Sequence, residues 1–196
     1  GIDGLISNAG VGPTAPAEKI FALNFYAGTY IAEGLRPLLI KKKGCCVMTC
    51  SNTITNSIVR MDWVELLTNL RNRERGMDLA RMIPKEKGPA AYSSFKCALA
   101  RWIRRVSPNW AVDGLRINGV APGNTTTPMT KGMTEQQRNA ALLIPIPTRY
   151  GTKEFLDAEE IANSIVFLAS RKASGINGEI LFVDGGIDAL MHSERF

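Results

Sequence analysis

Four short apolar runs, separated by longer stretches with helical spacing, constrain the fold of this 196-residue chain more than any other feature. Each run ends in small or turn-forming residues, as expected of strands buried in a parallel sheet. Strands that alternate with helices along a chain indicate an α/β fold. The four predicted strands are DGLISNAG (3–10), CCVMTCS (45–51), LRINGVAPG (115–123) and EILFVDGG (179–186).

The stretches between these runs carry apolar residues at three- and four-residue steps, which is the spacing of an amphipathic helix. Pro37 lies near the end of the first predicted helix. Pro108 is expected to cut or kink the last turns of the second, because proline cannot donate a backbone hydrogen bond. The spacing predicts helices over 18–44, 90–112, 134–143 and 157–170.

Residues 52–90 differ from the rest because they combine helical spacing with dense charge. Apolar residues in this segment indicate one or two amphipathic helices within a long connection, and connections of this length usually serve a function. We therefore predict a single domain over residues 1–196 with a helical insertion at 52–90. The apolar positions are Trp63, Leu66, Leu67 and Leu70.

Composition narrows the class of protein. The net charge is +6, with basic residues clustered at 41–43 and at Arg71, Arg73 and Arg75. These clusters lack the interleaved aromatic residues on which nucleic-acid bases stack, so a nucleic-acid-binding module is disfavoured. No apolar run is long enough to span a membrane, and no signal peptide is apparent. We expect a cytoplasmic protein with neither a nucleic-acid nor a membrane partner.

The cysteines do not predict a metal site. Three of the four lie in one strand-like run, at Cys45, Cys46 and Cys50, and the chain contains a single histidine. This spacing does not match the paired ligands of zinc sites. We therefore expect reduced, buried cysteines that pack as small apolar side chains.

The candidate chemistry lies at the strand ends, where parallel α/β sheets bind their ligands. Tyr92 and Lys96 are one helical turn apart and share a face of the predicted helix. A tyrosine has a pKa of about 10, and a nearby ammonium lowers it toward the range of acid-base catalysis. Ser51, at the end of a strand, could orient a substrate oxygen beside them. Taken alone, the Tyr92 and Lys96 pair is more often an ordinary pair of an amphipathic helix.

The order of these elements along the chain resembles the short-chain dehydrogenase/reductase family. The elements are NAG (8–10), Asn24, Ser51, YxxxK (92–96), APGNTTTP (121–128) and VDGG (183–186). The resemblance implies a Rossmann-like doubly wound parallel sheet. It also implies NAD- or NADP-dependent interconversion of a secondary alcohol and a carbonyl. The substrate would be a small-molecule alcohol or ketone of the hydroxysteroid or aromatic type, and the assembly a homo-oligomer, either a dimer or a tetramer.

The same resemblance implies roles for individual residues. Asn24 would hold a water in a proton relay, and Ser51 would orient the substrate. Tyr92 would be the catalytic acid-base, while Lys96 would lower its pKa and bind the nicotinamide ribose. The implied cofactor-binding residues are Asn8, Ala9, Gly10, Tyr92, Lys96, Pro122, Gly123, Thr125 and Thr127.

Three details resemble the 3α-hydroxysteroid dehydrogenase/carbonyl reductase branch of that family and related aromatic-alcohol dehydrogenases. They are the 41 positions from Ser51 to Tyr92, the APGxTxTP segment and the ending GIDALM (186–191). The insertion at 52–90 would then lie near the substrate mouth or across the surface where other members pair their helices. A surface hairpin that never contacts substrate is the alternative.

The sequence departs from the family pattern at its start. It lacks the strand, glycine-rich turn and helix that cradle the cofactor pyrophosphate, and the residue that selects NAD or NADP. The chain is then either a fragment of a longer enzyme or a short protein whose first strand is an exposed apolar edge. We expect residues 1–196 alone to be marginally stable, aggregation-prone or paired with a partner chain. A catalytically inactive fragment or scaffold is the alternative function.

Overall fold

The computed structural model describes residues 1–69, 73–152 and 154–194 of the chain. Its strands are β1 (Gly4–Ser7), β2 (Cys45–Thr49), β3 (Arg116–Pro122), β4 (Thr125–Thr126), β5 (Leu156–Asp157) and β6 (Ile180–Val183). The main sheet is parallel throughout and has the strand order β1-β2-β3-β6. The short strands β4 and β5 form a separate parallel pair that the sequence did not predict.

The helices occupy the connections between the strands. They are α1 (Ala17–Phe21), α2 (Gly28–Ile40), α3 (Met61–Asn69), α4 (Arg73–Arg81), α5 (Gly88–Val112), α6 (Pro128–Lys131), α7 (Glu135–Ala141), α8 (Ala158–Ala169) and α9 (Ile187–Met191). A π-helical segment, Ala22–Ala27, joins α1 directly to α2, so the helical backbone is continuous over 17–40. In the described part of the chain, no helix is both long and apolar enough to cross a membrane.

The two faces of the main sheet bury separate apolar clusters. Alternate residues of a strand point to opposite faces, so Cys46 and Met48 join one cluster while Val47 joins the other. The first cluster packs against α1 to α5, and the second packs against α8 and the C-terminal elements. Helices on both faces of a parallel sheet make the fold an α/β doubly wound architecture, as the sequence predicted.

Most predicted elements are present with shifted ends. The predicted helix over 18–44 ends at Ile40, and the predicted connection at 52–90 contains α3 and α4. Three of the four cysteines are buried as expected, whereas Cys97 is half-buried, and all four are free. Leu70 and Arg71 lie outside the described residues, as does the side chain of Arg73.

The prediction that β1 is a buried strand was wrong. Among the described strands, β1 lies at the edge of the main sheet and pairs with β2 alone, and Ile6 on this strand is 51% exposed. Burial of a strand depends on which strands flank it, and the apolar pattern of one segment does not contain that information. Within residues 1–196, this edge is therefore exposed and partly apolar.

Pro108 was predicted to cut or kink the second helix, and it does not cut it, because α5 continues through it to Val112. Proline at position 108 cannot donate a hydrogen bond to the carbonyl oxygen of Arg104. The hydroxyl of Ser107 donates to that oxygen instead, at 3.0 Å. This substitute bond satisfies the acceptor that proline leaves open and allows the helix to carry Tyr92 and Trp110 on one rigid element.

Candidate active site

A cavity of about 740 Å³ opens at the carboxyl ends of the strands of the main sheet. Its lining brings together the predicted residues from four separate parts of the chain. Among the predicted site residues, it includes Asn8, Ala9, Gly10, Ser51, Tyr92, Lys96, Pro122, Gly123, Thr125 and Thr127. A smaller depression of about 540 Å³ lies beside Arg149 and Asp188, and its described lining contains none of these residues.

Lys96 is buried in the wall of this cavity, with 5% of the residue exposed. Its Nζ donates a hydrogen bond of 2.6 Å to the carbonyl oxygen of Thr49, the last residue of β2. Burial lowers the pKa of Lys96, and the neighbouring Cys50 thiol, when ionised, opposes that effect. The ammonium is therefore fixed at the junction of α5 and the main sheet.

Tyr92 precedes Lys96 by one turn of α5 and faces the same cavity. Burial raises the pKa of Tyr92, a hydrogen bond from Ser51 lowers it, and Cys50 raises it further. The net direction is opposite to the lowering expected from the sequence. The reason is that desolvation of the phenolate dominates, while the ammonium of Lys96 donates to the Thr49 carbonyl.

Ser51 is held in a defined turn directly after β2. It caps the 3₁₀ turn Asn52–Thr55, and its Oγ accepts hydrogen bonds from the backbone N–H of Thr53 at 3.3 Å and from the hydroxyl of Thr53 at 3.1 Å. Only 7% of Ser51 is exposed. Ser51 and Tyr92, 41 positions apart in the sequence, thus line the same cavity, where the Ser51 hydroxyl lowers the pKa of Tyr92.

Asn24 is not among the described lining residues and lies behind the NAG segment. Its Oδ1 accepts from the N–H of Val11 at 2.8 Å, and its Nδ2 donates to the carbonyl oxygen of Val11 at 2.9 Å. A Cβ atom on Gly10 would stand only 2.8 Å from Asn24 Oδ1, so glycine is needed for this approach. Asn24 therefore fixes the backbone that follows NAG.

The segment after β3 closes the opposite side of the cavity. A Cβ atom on Gly123 would lie 2.7 Å from Cβ of Asp184, so glycine permits the ends of β3 and β6 to pack closely. Thr125 donates to the carbonyl oxygen of Gly123 at 2.9 Å, and the hydroxyl of Thr130 donates to the carbonyl oxygen of Thr125 at 2.7 Å. These bonds hold Thr125 and Thr127 against the cavity.

Comparisons with known proteins agree with this geometry. A family model described as enoyl-(acyl carrier protein) reductase matches residues 77–188. A 3-alpha-hydroxysteroid dehydrogenase/carbonyl reductase from Comamonas testosteroni is 28% identical over 199 residues, which cover 100% of this chain and 76% of that protein. This chain belongs to the short-chain dehydrogenase/reductase family. Its members are oxidoreductases, and the fold and order of motifs described above are those of this family.

A solved structure extends the likeness to three dimensions. The crystal structure of the 3-alpha-hydroxysteroid dehydrogenase from Pseudomonas sp. B-0831, complexed with NADH, has a TM-score of 0.87 and 30% identity, and the match covers 100% of this chain and 76% of that one. A 2-dehydro-3-deoxy-D-gluconate 5-dehydrogenase from Bacillus subtilis is 34% identical over 139 residues, covering 65% of this chain and 53% of that protein. The chain thus spans between about half and three quarters of the length of these relatives.

Sequence reasoning did not assign α8 to this short-chain dehydrogenase/reductase cavity. Ile161 and Ile165 line it from α8, although their helical spacing had assigned them only to the core. Met129 and Met133, four positions apart after the APG segment, also line it, and their spacing was the available signal. These side chains make the floor and one wall of the cavity apolar.

One part of the segment 52–90 lies at the cavity, and another part lies away from it. Its first residues, including Thr53, Asn56 and Ile58, line the cavity. Its helices lie elsewhere, because α3 packs on α5 and α4 packs on α1. A Cβ atom on Gly76 of α4 would stand 2.3 Å from the ring of Phe21, which shows how closely that second contact is packed.

Cys50 makes the stability of the fold sensitive to alkaline pH. Burial raises the pKa of its thiol from 9.0 to about 12, so the folded state holds a proton that the unfolded state loses above pH 9. We expect the free energy of unfolding to fall with rising pH in this window, by about 1.5 kcal/mol between pH 9 and about 10.5. Urea unfolding of wild type and Cys50→Ala at both pH values measures the difference. Parallel losses in the two proteins would contradict this assignment.

Proposed function

We propose that this chain is an NAD- or NADP-dependent oxidoreductase that interconverts a secondary alcohol and a carbonyl, with Tyr92 as the acid-base. One observation carries the proposal. Tyr92, Ser51 and the ammonium of Lys96, contributed by a helix and a strand end far apart in sequence, line one cavity at the carboxyl edge of a parallel sheet. Family membership supports the reaction class, since the matched relatives are named dehydrogenases and reductases.

The residues of the cavity fit a nicotinamide cofactor. Lys96 offers ammonium protons, and Thr125 and Thr127 offer hydroxyl groups to the same cavity. The solved relative named above was complexed with NADH, which supports the same cofactor class here. When bound, the nicotinamide ring accepts the hydride from an alcohol carbon or donates it to a carbonyl carbon.

The chain's own residues would then transfer the proton to or from the substrate oxygen. Ser51 donates a hydrogen bond to the reacting oxygen and holds it beside Tyr92. In oxidation, the Tyr92 phenolate takes the hydroxyl proton, and in reduction the phenol returns it. Lys96 stabilises the phenolate through its positive charge, and Asn24 keeps the loop after NAG in place through Val11.

The apolar wall supports the substrate class. Ile58, Met129, Met133 and Ile161 line the cavity together with Tyr92, and their side chains would contact the carbon skeleton of the substrate. Ligand sites of this kind are mostly apolar with a few polar groups that fix orientation. A hydroxysteroid or an aromatic alcohol suits such a surface better than a polar sugar acid.

A chain that keeps these side chains without turning over substrate is the second candidate. The observation behind it is that Ile6 of β1 is 51% exposed within residues 1–196, and an exposed strand edge can pair with another chain. In that case the protein would bind partners through its sheet edge rather than catalyse a reaction.

Cofactor binding and turnover separate these candidates. The chain is melted with and without excess NAD or NADP, and then assayed with a hydroxysteroid and an aromatic secondary alcohol by the absorbance of the reduced cofactor. A ligand present at 100 times its Kd stabilises the native state by about 2.7 kcal/mol, so one cofactor should raise Tm. Turnover with that cofactor supports the proposal. A cooperative melt that responds to neither cofactor, together with no turnover, argues for the second candidate.

A further inference from the structure

The hydroxyl oxygen of Ser51 accepts two hydrogen bonds from a single residue. The backbone N–H of Thr53 donates at 3.3 Å and the Thr53 hydroxyl donates at 3.1 Å. A serine hydroxyl has two acceptor lone pairs and one proton. Because Thr53 occupies both acceptor positions, the proton of Ser51 must be donated to another group.

The geometry of the cavity limits where that proton can go. Only 7% of Ser51 is exposed, and it lines the cavity together with Tyr92, whose pKa its hydroxyl lowers. A substrate oxygen that approaches Tyr92 would enter this same cavity. The phenolic oxygen of Tyr92 and the substrate oxygen are therefore acceptors toward which Ser51 can direct its proton.

The turn that carries Thr53 is itself anchored to the C-terminal part of the chain. Nδ2 of Asn52 lies 3.5 Å from Oδ2 of Asp184, and the hydroxyl of Thr55 donates to Oδ1 of Asp188 at 2.6 Å. Asp184 is 3% exposed and also accepts from the N–H of Asp188 at 2.8 Å. The residues on both sides of Thr53 are thus tied to the end of β6 and to α9, while the two bonds to Ser51 come from Thr53 itself.

We propose that Thr53 is a positioning residue for the alcohol–carbonyl interconversion, which orients the hydroxyl of Ser51 as a hydrogen-bond donor toward Tyr92 and the reacting oxygen. This inference rests on the proposed function for its catalytic part. A donor aimed at the phenolic oxygen stabilises the phenolate, which is the form of Tyr92 that takes a proton from an alcohol. Thr53 thereby acts on Tyr92 through Ser51, without contacting the reacting atoms.

The consequence is a change in how easily Tyr92 ionises. The other titratable groups beside Tyr92 are Cys50, at the end of β2, and Lys96 on α5, and Asn52–Thr55 contains none. Substituting Thr53→Val removes one of the two donors to Ser51 while keeping the side-chain shape. Ser51 can then turn its proton toward the vacated position, and Tyr92 loses part of its stabilising donor.

The test titrates Tyr92 directly. The ultraviolet absorbance of tyrosinate is followed against pH in each protein, and the signal of Tyr92 is obtained by subtracting the titration of Tyr92→Phe. We expect Thr53→Val to move this signal to higher pH and to lower kcat about 5- to 10-fold with KM nearly unchanged, as for the loss of one hydrogen bond. Thr53→Ser keeps the hydroxyl and should restore both values.

Thr55→Val is the matched control, because it removes a hydroxyl from the same turn that bonds Asp188 rather than Ser51. It should lower Tm and leave the Tyr92 titration where it is in wild type. If Thr53→Val does not fold, Thr53→Ala is titrated in its place.

An unchanged Tyr92 titration in a folded Thr53 variant overturns the inference. An equal shift of the Tyr92 titration in Thr55→Val also overturns the inference, because the shift would then come from the turn as a whole and not from Thr53. If wild type shows no turnover above Tyr92→Phe while the Thr53→Val titration still shifts, the proposed function fails and the orientation of Ser51 is supported. If wild type turns over substrate and Thr53→Val changes neither the Tyr92 titration nor kcat, the inference about Thr53 is wrong and the proposed function stands.

Discussion

Replacing Tyr92 with phenylalanine should lower kcat by about 10³-fold while leaving the fold intact. The substitution removes the phenolic hydroxyl, which is the group proposed to exchange a proton with the substrate, and keeps the ring that packs beside the core. Acid-base groups typically contribute 10²- to 10⁴-fold to the rate. Steady-state turnover with the cofactor that raises Tm, together with circular dichroism to monitor the fold, measures both effects.

Tyr150→Phe provides the matched control for this experiment. It removes the same hydroxyl from a tyrosine that is 81% exposed and does not line the cavity. Its kcat should equal that of wild type. If Tyr92→Phe retains more than about a tenth of wild-type kcat, another group transfers the proton and the assignment of Tyr92 is wrong.

Lys96→Met should change activity and stability in opposite directions. Folding lowers the pKa of Lys96 below its ordinary 10.5, because the buried ammonium loses hydration that its hydrogen bond to Thr49 only partly replaces. Methionine fills a similar volume without a charge. We expect the free energy of unfolding at pH 7 to rise by about 1 kcal/mol, and kcat to fall about 100-fold through loss of the charge beside Tyr92.

The pH dependence of the free energy of unfolding tests whether Lys96→Met stabilises the fold. Between the lowered pKa of folded Lys96 and 10.5, Lys96 binds more protons in the unfolded chain than in the folded one, so its own contribution to stability rises with pH in this window. The advantage of Lys96→Met should therefore shrink as the pH approaches 10.5. Urea unfolding near neutrality and near pH 10 measures it, with the exposed Lys85→Met as the control. A loss of stability in Lys96→Met at pH 7 would mean that the ammonium stabilises the fold.

The burial of a strand was predicted correctly where the strand is apolar and also has neighbours on both sides and both faces. CCVMTCS and LRINGVAPG lie in the middle of the sheet with both faces covered, so their continuous apolar character agrees with their position. DGLISNAG has the same character but lies at the edge. Its exposure depends on the strands around it, which a local pattern cannot specify.

The sequence predicted which residues meet at the candidate site, but it did not predict the direction of the pKa shift of Tyr92. Ser51, Tyr92 and Lys96 could be placed together because strand ends and a helix face converge at one edge of a parallel sheet. The pKa of Tyr92 depends on the burial of its hydroxyl and on where the Lys96 ammonium points, which require coordinates. The role proposed for Thr53 likewise depends on two donor distances that no motif describes.

The passage of α5 through Pro108 shows a similar limit. Pro108 lacks a backbone N–H donor, as the sequence indicated, but the hydroxyl of Ser107 donates to the carbonyl oxygen of Arg104 instead. A serine before a proline is common in turns as well as in helices, so the sequence alone did not distinguish the two outcomes.

The π-helical segment Ala22–Ala27 also sets the phase between the two halves of the helical region over 17–40. A π-helical turn holds about one residue more than an α-helical turn of nearly the same length. Deleting one residue there would let the segment close as an α-helix and keep Ala32 and Leu39, both fully buried, facing the core. Deleting one residue from α2 before Ala32 would instead turn both side chains by about 100°. The segment Ala22–Ala27 is therefore the part of the helical region 17–40 in which the loss of one residue is tolerated best.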